Sequence, residues 1–467
     1  MEKKQNNFSG QLGFVLAAAG SAVGVGNLWR FPYLAAKDGG GLFLIIYFVL
    51  VLTFGFTLLT SDIAIGRRTK QSAIGAYTQM RPKWKFLGIL TFLVPVLIMT
   101  YYAVIGGWIT KYAVTYITGQ AKAAAGDDYF TSFITSSTSP VVYALIFMAV
   151  TAFIVYNGVE EGIERVSKWM MPILLVLVVI IAGYSLTLQH TDASGQVHTG
   201  LQGFLYYLTP NVEGLTIKRF LQILLDAMSQ LFFSLSVSMG IMITYGSYVK
   251  KDVDLNKSVS QIELMDTGVA FLAGVMIIPA VFVFSGLEGM SAGPGLMFVS
   301  LPKVFFCMGF AGRMIGILFF TLAAFAALTS CISVLESITA NCMELFHSER
   351  KKTTGILSVV YLIVTAVIAL GYSVFYVEVK LPNGSTGQLL DIMDYISNSF
   401  LMPFIALLSS IFIGWVMKPA WIAEEMELNG GKFRRKKLYN VMIRYIMPVV
   451  MTILFLQSTG LLSQIIK

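Results

Sequence analysis

The sequence predicts an all-α, polytopic membrane protein: a single transmembrane domain over residues 1–467 with about eleven transmembrane helices. Three observations predict it. Hydrophobic residues fill 56% of the chain and charged residues only 12%, and the mean hydropathy of +0.74 lies far outside the range of a soluble globular domain. Apolar runs of about 20 residues, the length that crosses the hydrocarbon, recur along the whole chain. The first and sixth of these runs carry matching polar and glycine interruptions, the pattern of a five-plus-five inverted repeat with a binding site at the breaks.

The runs begin near Leu12, Leu42, Phe86, Val141, Met171, Phe220, Val259, Met314, Ile356, Leu389 and Val441, those near Val141 and Ile356 being short. Before the first, "MEKKQNNFSGQ" leads straight into a segment too long for a signal-peptide core and without a small-residue cleavage site, so no cleaved leader is expected. Lysine and arginine set the orientation. "GRRTKQ" and "RPKWK" after the second run, "VKKD" after the sixth, "SERKK" after the eighth and "KFRRKK" after the tenth fall on one side with Lys3 and Lys4. The opposite loops, "TLQHTDASGQVHTG" and "VKLPNGSTGQ", carry few cations. The expected location is therefore the plasma membrane, with the N-terminus cytoplasmic and the C-terminus on the extracellular side. The net charge of +8 then reflects topology, and nothing supports a nucleic-acid partner.

Span one reads "GSAVGVGNLWRFPY" over residues 20–33, with Gly20, Gly24 and Gly26 ahead of Asn27, Arg30 and Pro32. Span six reads "QLFFSLSVSMGIMITYGSY", in which Ser234, Ser236, Ser238 and Gly240 interrupt the apolar run. Breaking a membrane helix frees N–H and C=O groups that lipid cannot satisfy, so such breaks survive only against protein, water or a ligand. Close packing of small residues, Gly20-x-x-x-Gly24, is the alternative. Two matched breaks, with a polar and a charged residue beside one of them, argue for a site. Positions one and six divide the chain into a first repeat over 11–190, a second over 216–418 and an added helix over 438–463.

These stretches, with "GGGLFLIIYF", "AALTSCISVLESI" and "LDIMDYISN", resemble the neurotransmitter:sodium symporter family, in particular its prokaryotic amino-acid transporters of the LeuT fold and eleven-span type. The resemblance runs from Phe8 to the tenth span. It implies two sodium sites, the first made by Ala22, Asn27, Ser234 and Asp266, the second by Gly20, Val23, Ala326, Thr329 and Ser330. Carbonyl, amide, hydroxyl and carboxylate oxygens are hard donors suited to such an ion. For Thr329 and Ser330 the alternative is that their hydroxyls bond back to their own helix.

By the same resemblance a substrate carboxylate meets the N–H groups of Val25 and Gly26 at a half-helix N-terminus, with the Tyr102 hydroxyl as a further donor. Amine transporters of the family place an aspartate where this chain has Gly24, which favours a substrate that brings its own carboxylate. Ile98, Tyr102, Phe233, Ser234, Ser236, Met239, Ser330 and Val334 are the remaining expected substrate contacts. They offer no acid or base to a charged side chain, so the expected partner is a neutral hydrophobic or aromatic amino acid. Ser238, where relatives carry a small apolar residue or glycine, leaves the size limit open.

Arg30, Gln230, Phe233 and Asp394 resemble the extracellular gate, Arg30 and Asp394 as a wet latch; Arg30 snorkelling to the interface is the alternative. Relatives close the inner side with an N-terminal arginine and tryptophan against an acid. Here Lys4 and Phe8 stand there, with Tyr248 and Glu344 as partners, and lysine lacks the guanidinium fork. Asp62 and Glu336 are expected to hold freed backbone of the broken helices, or to be plain interior hydrogen-bonding groups.

Chloride is expected to be unnecessary. Animal relatives that need it have asparagine at the sodium position of span seven and serine one turn on, whereas some bacterial ones place a glutamate there. "ELMDTGVA" has Asp266 and Ala270 instead. A fixed carboxylate beside the ion can do what chloride does elsewhere, and a proton taken up by Asp266 when sodium leaves would add proton antiport. Alternatively Asp266 is merely hydrogen-bonded, or Glu263, one turn earlier, is the titrating group. No enzyme is expected. Cys307, Cys331 and Cys342 have no disulfide or metal spacing, His190, His198 and His347 fall in predicted loops, and no nucleophile elbow or phosphate loop occurs. No organic cofactor is implied. A sensor on the same fold would need a long signalling tail. Oligomeric state is not legible.

Overall fold

The structure, a computed structural model, describes residues 7–192, 195–382 and 384–461. Among them, nine helices are long and apolar enough to cross a membrane: Gly41–Thr69, Pro82–Ile117, Ser139–Tyr156, Val159–Leu186, Leu255–Ser285, Phe310–Phe346, Arg350–Tyr372, Leu389–Met417 and Lys436–Ser458. The first span is a bent pair, Gln11–Ala22 and Val25–Lys37, whose halves meet at 59°. The sixth is also a pair, Ile217–Leu235 and Ile241–Ser247. Lys218, Arg219 and Asp226 make its first half too charged to count as a membrane helix on length and apolarity alone. The eleven expected runs are thus nine continuous helices and two broken ones.

The fifth helix starts at Val159, twelve residues before Met171, and the ninth at Arg350. Hydropathy sees only the part of a helix that meets hydrocarbon. Glu160, Glu161, Glu164 and Arg165 continue the fifth helix past that boundary. Both cation-poor loops fold into small antiparallel hairpins, Gln189–Thr191 with Val197–Thr199 and Val379–Lys380 with Thr386–Gly387.

The sixth helix stops because Ser236 (φ +52°), Ser238 (φ +61°) and Gly240 (φ +76°) lie in left-handed conformations. For each serine that geometry costs about 1–3 kcal/mol, which packing must offset. Its second half crosses the second span at backbone contact. A Cβ on Gly66 would sit 1.9 Å from the Ile243 carbonyl oxygen, and one on Gly246 would sit 2.4 Å from that of Ile63. Only glycine at both positions allows this approach. The first span lies among the fifth, seventh and eighth, the third lies along the eighth, and the eleventh packs on the tenth. One buried and one half-buried ion pair hold the Lys436 end of the bundle. Arg67 donates to Glu425 at 2.5 Å and to the Val253 carbonyl at 2.6 Å, and Arg435 reaches Glu263 at 2.9 Å while its guanidinium lies 3.8 Å from the Phe56 ring centre.

Candidate functional site

The groups freed by the two breaks find partners on neighbouring helices, as buried backbone must. Gly24 N–H donates to Asn27 Oδ1 at 3.1 Å and Val25 N–H to the Tyr102 hydroxyl at 3.4 Å. The Ser21 carbonyl accepts from Ser236 Oγ at 3.0 Å and Ser330 Oγ at 3.1 Å, which ties the two breaks to each other and to the eighth span. Ser238 N–H donates to Asp62 Oδ2 at 3.0 Å, so Asp62 does hold freed backbone.

Asn27, Ser234 and Asp266 converge from three spans. Ser234 Oγ lies 2.9 Å from both Asp266 carboxylate oxygens, and Asn27 Nδ2 lies 2.9 Å from Asp266 Oδ1 and 3.1 Å from Ser234 Oγ. Asp266 is fully buried, and no lysine or arginine among the described residues pairs with it. A buried carboxylate ringed only by an amide and a hydroxyl suits a hard monovalent cation. The Asn27 NH2 group bridges the two acceptors while its oxygen accepts from Gly24 N–H, so the amide joins the first break to this cluster. Ala22, the last residue of the first half-helix, lines the adjoining cavity.

The second expected set lies where the first and eighth spans meet. Ser330 Oγ is 3.5 Å from the Gly20 carbonyl oxygen, and a Cβ on Gly20 would touch Thr329 Cβ at 3.3 Å. The Thr329 hydroxyl bonds back to the Phe325 and Ala326 carbonyls at 3.0 and 3.2 Å, and Val23 N–H closes the first half-helix on Ala19. Thr329 thus has the local partners expected of a helical threonine, whereas Ser330 reaches across.

Between the breaks is a small cavity, about 30 Å³, whose walls include Ile98, Tyr102, Phe233, Ser236, Met239, Ser330 and Val334. Gly24, Gly26 and Asn27 close its polar end; Ser21 and Ile241, not singled out from the sequence, complete it. Val25 presents its N–H rather than a wall, and Ser234 faces the Asp266 cluster. A Cβ on Gly24 would lie 3.1 Å from both the Ser330 and Tyr102 hydroxyls, and one on Gly26 would lie 2.3 Å from the Phe233 ring. Gly26→Ala must therefore displace that ring. Its expected effect is at least about a tenfold loss of affinity for the transported solute, partly recovered in Gly26→Ala with Phe233→Leu; unchanged affinity in the single variant, measured by uptake competition, would refute this seating.

Phe233 and Tyr102 separate this cavity from a vestibule of about 420 Å³, walled among others by Arg30, Tyr101, Asp394 and Asn398. The expected latch is not closed. Arg30 donates to Ser229 Oγ at 2.6 Å and lies 5.9 Å from the Phe233 ring centre, while Asp394 accepts from Asn398 at 2.6 Å. Both line the vestibule, and among the described residues no ion pair joins them. Gln230 is fully buried behind the lid and donates to the Gly26 carbonyl at 3.3 Å, so it braces the first break rather than facing the vestibule.

The opposite side is packed shut, by contacts that share Phe8 and Tyr248 with the expected set and differ from it in the acid. Lys4 lies outside the described residues. Phe8 is buried against Tyr245 and Tyr248, ring centres 5.5 and 6.1 Å away, and its N–H donates to the Tyr248 carbonyl at 3.2 Å. The Tyr248 hydroxyl donates to Glu336 at 2.6 Å, and Arg350 grips the same carboxylate with two bonds of 2.6 and 2.7 Å. Glu336 therefore pairs with a cation and not with freed backbone. Glu344 is taken up by Ser72, accepting from its N–H at 2.8 Å and its hydroxyl at 2.6 Å at the start of helix Ala73–Met80. It is not the partner of Tyr248. Glu263 pairs with Arg435 at 2.9 Å and does not join the Asp266 cluster. Arg350 was missed because it stands in a loop-like "SERKK" whose charges read as topology; its pairing fourteen residues back is visible only once the eighth and ninth spans pack.

Two unwound helices that cradle a buried, mostly apolar cavity, opening by a lid toward one side and sealed on the other, define a secondary transporter. The chain belongs to the sodium:neurotransmitter symporter family, which it matches over residues 5–132 and 132–465, and is a sodium-coupled, multi-pass membrane transporter. It is 35% identical, over 99% of both chains, to a Bacillus subtilis protein named as the uncharacterized sodium-dependent transporter YhdH. Human sodium- and chloride-dependent GABA transporter 2 is 24% identical, across 98% of this chain and 82% of its own. Among solved structures, the crystal structure of MhsT in complex with L-phenylalanine superposes with a TM-score of 0.83 at 35% identity, covering 97% of this chain and 99% of that one. The fold is the LeuT fold with broken first and sixth helices.

Proposed function

We propose that this transporter moves neutral hydrophobic or aromatic amino acids into the cell with sodium, by alternating access, without chloride and with proton return on Asp266. The observation that carries the reading is the cavity between the breaks. Ile98, Met239, Ile241 and Val334 give it apolar walls, Gly24, Gly26 and Tyr102 give it a polar end, and no charged side chain lines it. An amino-acid carboxylate fits the half-helix N-terminus at Val25 and Gly26 and brings its charge to the ion held by Ala22, Asn27, Ser234 and Asp266. Sharing that contact makes sodium and substrate raise each other's affinity by the same factor. A second ion at Gly20, Val23, Ala326, Thr329 and Ser330 ties the first span to the eighth and favours the state open on the Arg30 side. That side faces outward in this reading, the N-terminus is cytoplasmic, and residues 11–190 and 216–418 are the rocking repeats with 438–463 appended. Likeness to MhsT, crystallised with L-phenylalanine, supports the substrate class.

Proteoliposomes test it. An inward sodium gradient is expected to accumulate labelled leucine, phenylalanine or tryptophan, potassium is expected to do nothing, and lysine or glutamate are expected not to compete. Thr329→Ala combined with Ser330→Ala is expected to remove sodium-stimulated uptake from a folded protein. Uptake with unchanged sodium dependence would eliminate the second site, and preferred competition by lysine or glutamate would overturn the substrate class.

A further inference from the structure

The tenth and eleventh spans meet through two widened turns, π-helical over Phe412–Met417 and Met442–Ile446. Backbones touch there: a Cβ on Gly414 would lie 2.8 Å from the Ile443 carbonyl oxygen. The carbonyls that such turns expose are satisfied reciprocally, Trp415 Nε1 donating to the Arg444 carbonyl at 3.1 Å and Arg444 Nε donating to the Gly414 carbonyl at 3.2 Å. This fixes the Arg444 side chain but uses only one of its nitrogens. Among the described residues no carboxylate pairs with Arg444, and its two terminal nitrogens have no protein acceptor. Arg444 stands roughly 12 Å along the helix from Lys436, inside a span. Its neighbours face outward: Trp415 is 57% and Tyr445 56% exposed, their rings 5.9 Å apart edge to face. A tryptophan and a tyrosine on the outside of a bundle mark the headgroup level of the bilayer. A guanidinium at that level needs an anion, and the anion that lipid supplies there is a phosphodiester, whose two oxygens match the free guanidinium fork.

We infer that the groove between the tenth and eleventh spans binds the headgroup of an anionic phospholipid, its phosphate on Arg444 and its glycerol against Trp415 and Tyr445. Lys418 and Lys437, exposed cations at the same end of these two helices that have no ion pair among the described residues, favour a headgroup of net negative charge over a zwitterionic one. The site lies on the outside of the bundle, apart from the transport cavity.

Delipidated protein in detergent, unaltered and as Arg444→Gln and Arg444→Lys, tests this when titrated with phosphatidylglycerol, with phosphatidylcholine of the same chains, or with inorganic phosphate. Phosphatidylglycerol is expected to raise the unfolding temperature of the unaltered protein by several degrees, phosphatidylcholine to raise it less, Arg444→Lys to keep part of the shift and Arg444→Gln to lose most of it. An equal shift in Arg444→Gln overturns the site, and equal stabilisation by inorganic phosphate makes it a soluble-anion site and overturns the lipid. A measurement that needs no variant is photo-crosslinking of the unaltered chain with a photoactivatable phosphatidylglycerol. Adducts are expected on residues 415–418 and 441–445; adducts on other outward-facing helices with none there overturn the inference.

Discussion

Asp266→Asn is expected to abolish sodium-driven uptake, and Asp266→Asn with Ala270→Ser to regain part of it only when chloride is present. The carboxylate is fully buried and, among the described residues, hydrogen-bonds only with Asn27 and Ser234. At about 4 Å and an effective dielectric near 20, its attraction for a sodium ion is of order 4 kcal/mol. Losing that is on the order of a 10²–10³-fold loss of sodium affinity, since about 1.4 kcal/mol is tenfold. The unaltered protein should transport equally when gluconate replaces chloride, because the fixed charge does the work of a bound anion; loss of uptake on chloride withdrawal would remove the argument at its root. The same group carries the proposed proton return. A pH dye inside the vesicles is expected to report alkalinisation during uptake by the unaltered protein, and its absence would separate transport from proton antiport.

Arg350→Gln is expected to open the opposite side. Glu336 is fully buried, and its carboxylate is held by the Arg350 fork and the Tyr248 hydroxyl. Removing the cation strands a buried charge, an imbalance worth about 3–5 kcal/mol. The cheapest relief is to let Glu336 reach water, which releases Tyr248 and with it Phe8. With Cys307, Cys331 and Cys342 replaced, a cysteine at Ala340, which lines the cleft beside Tyr248, should then react with a soluble thiol reagent at least about tenfold faster, well within the roughly 10²-fold to which the lower bound of that imbalance corresponds. Arg350→Lys keeps the charge without the fork and should fall between. Unchanged labelling in Arg350→Gln would show that this pair does not hold the closure.

The transport site was legible to the extent that its chemistry is local. The clustered glycines and serines of "GSAVGVGNLWRFPY" and "SLSVSMG" weaken a membrane helix, so an interruption in each stretch could be expected from the chain, and the structure places the two at residues 23–24 and 236–240. The resemblance these stretches carry named the three residues that now meet at Asp266 and the pocket wall from Ile98 to Val334. Gating was less legible because it depends on pairing between distant segments. Arg350 and Glu344 sit in equally charged, equally ordinary surroundings, and only packing gives Glu336 to the one and Ser72 to the other.

By itself the sequence determined the membrane class, the eleven runs and the two breaks, because hydrophobic length, glycine and proline act over a few residues and need no partner to exert their cost. Tertiary structure decided which charges neutralise one another, that Arg30 and Asp394 turn to Ser229 and Asn398 rather than to each other while Tyr248 closes on Glu336, and that among the described residues two Arg444 nitrogens are left without a protein acceptor. Those outcomes depend on distances between helices far apart in the chain. Coulomb and hydrogen-bond energies change over a few ångströms, and no local pattern encodes such distances.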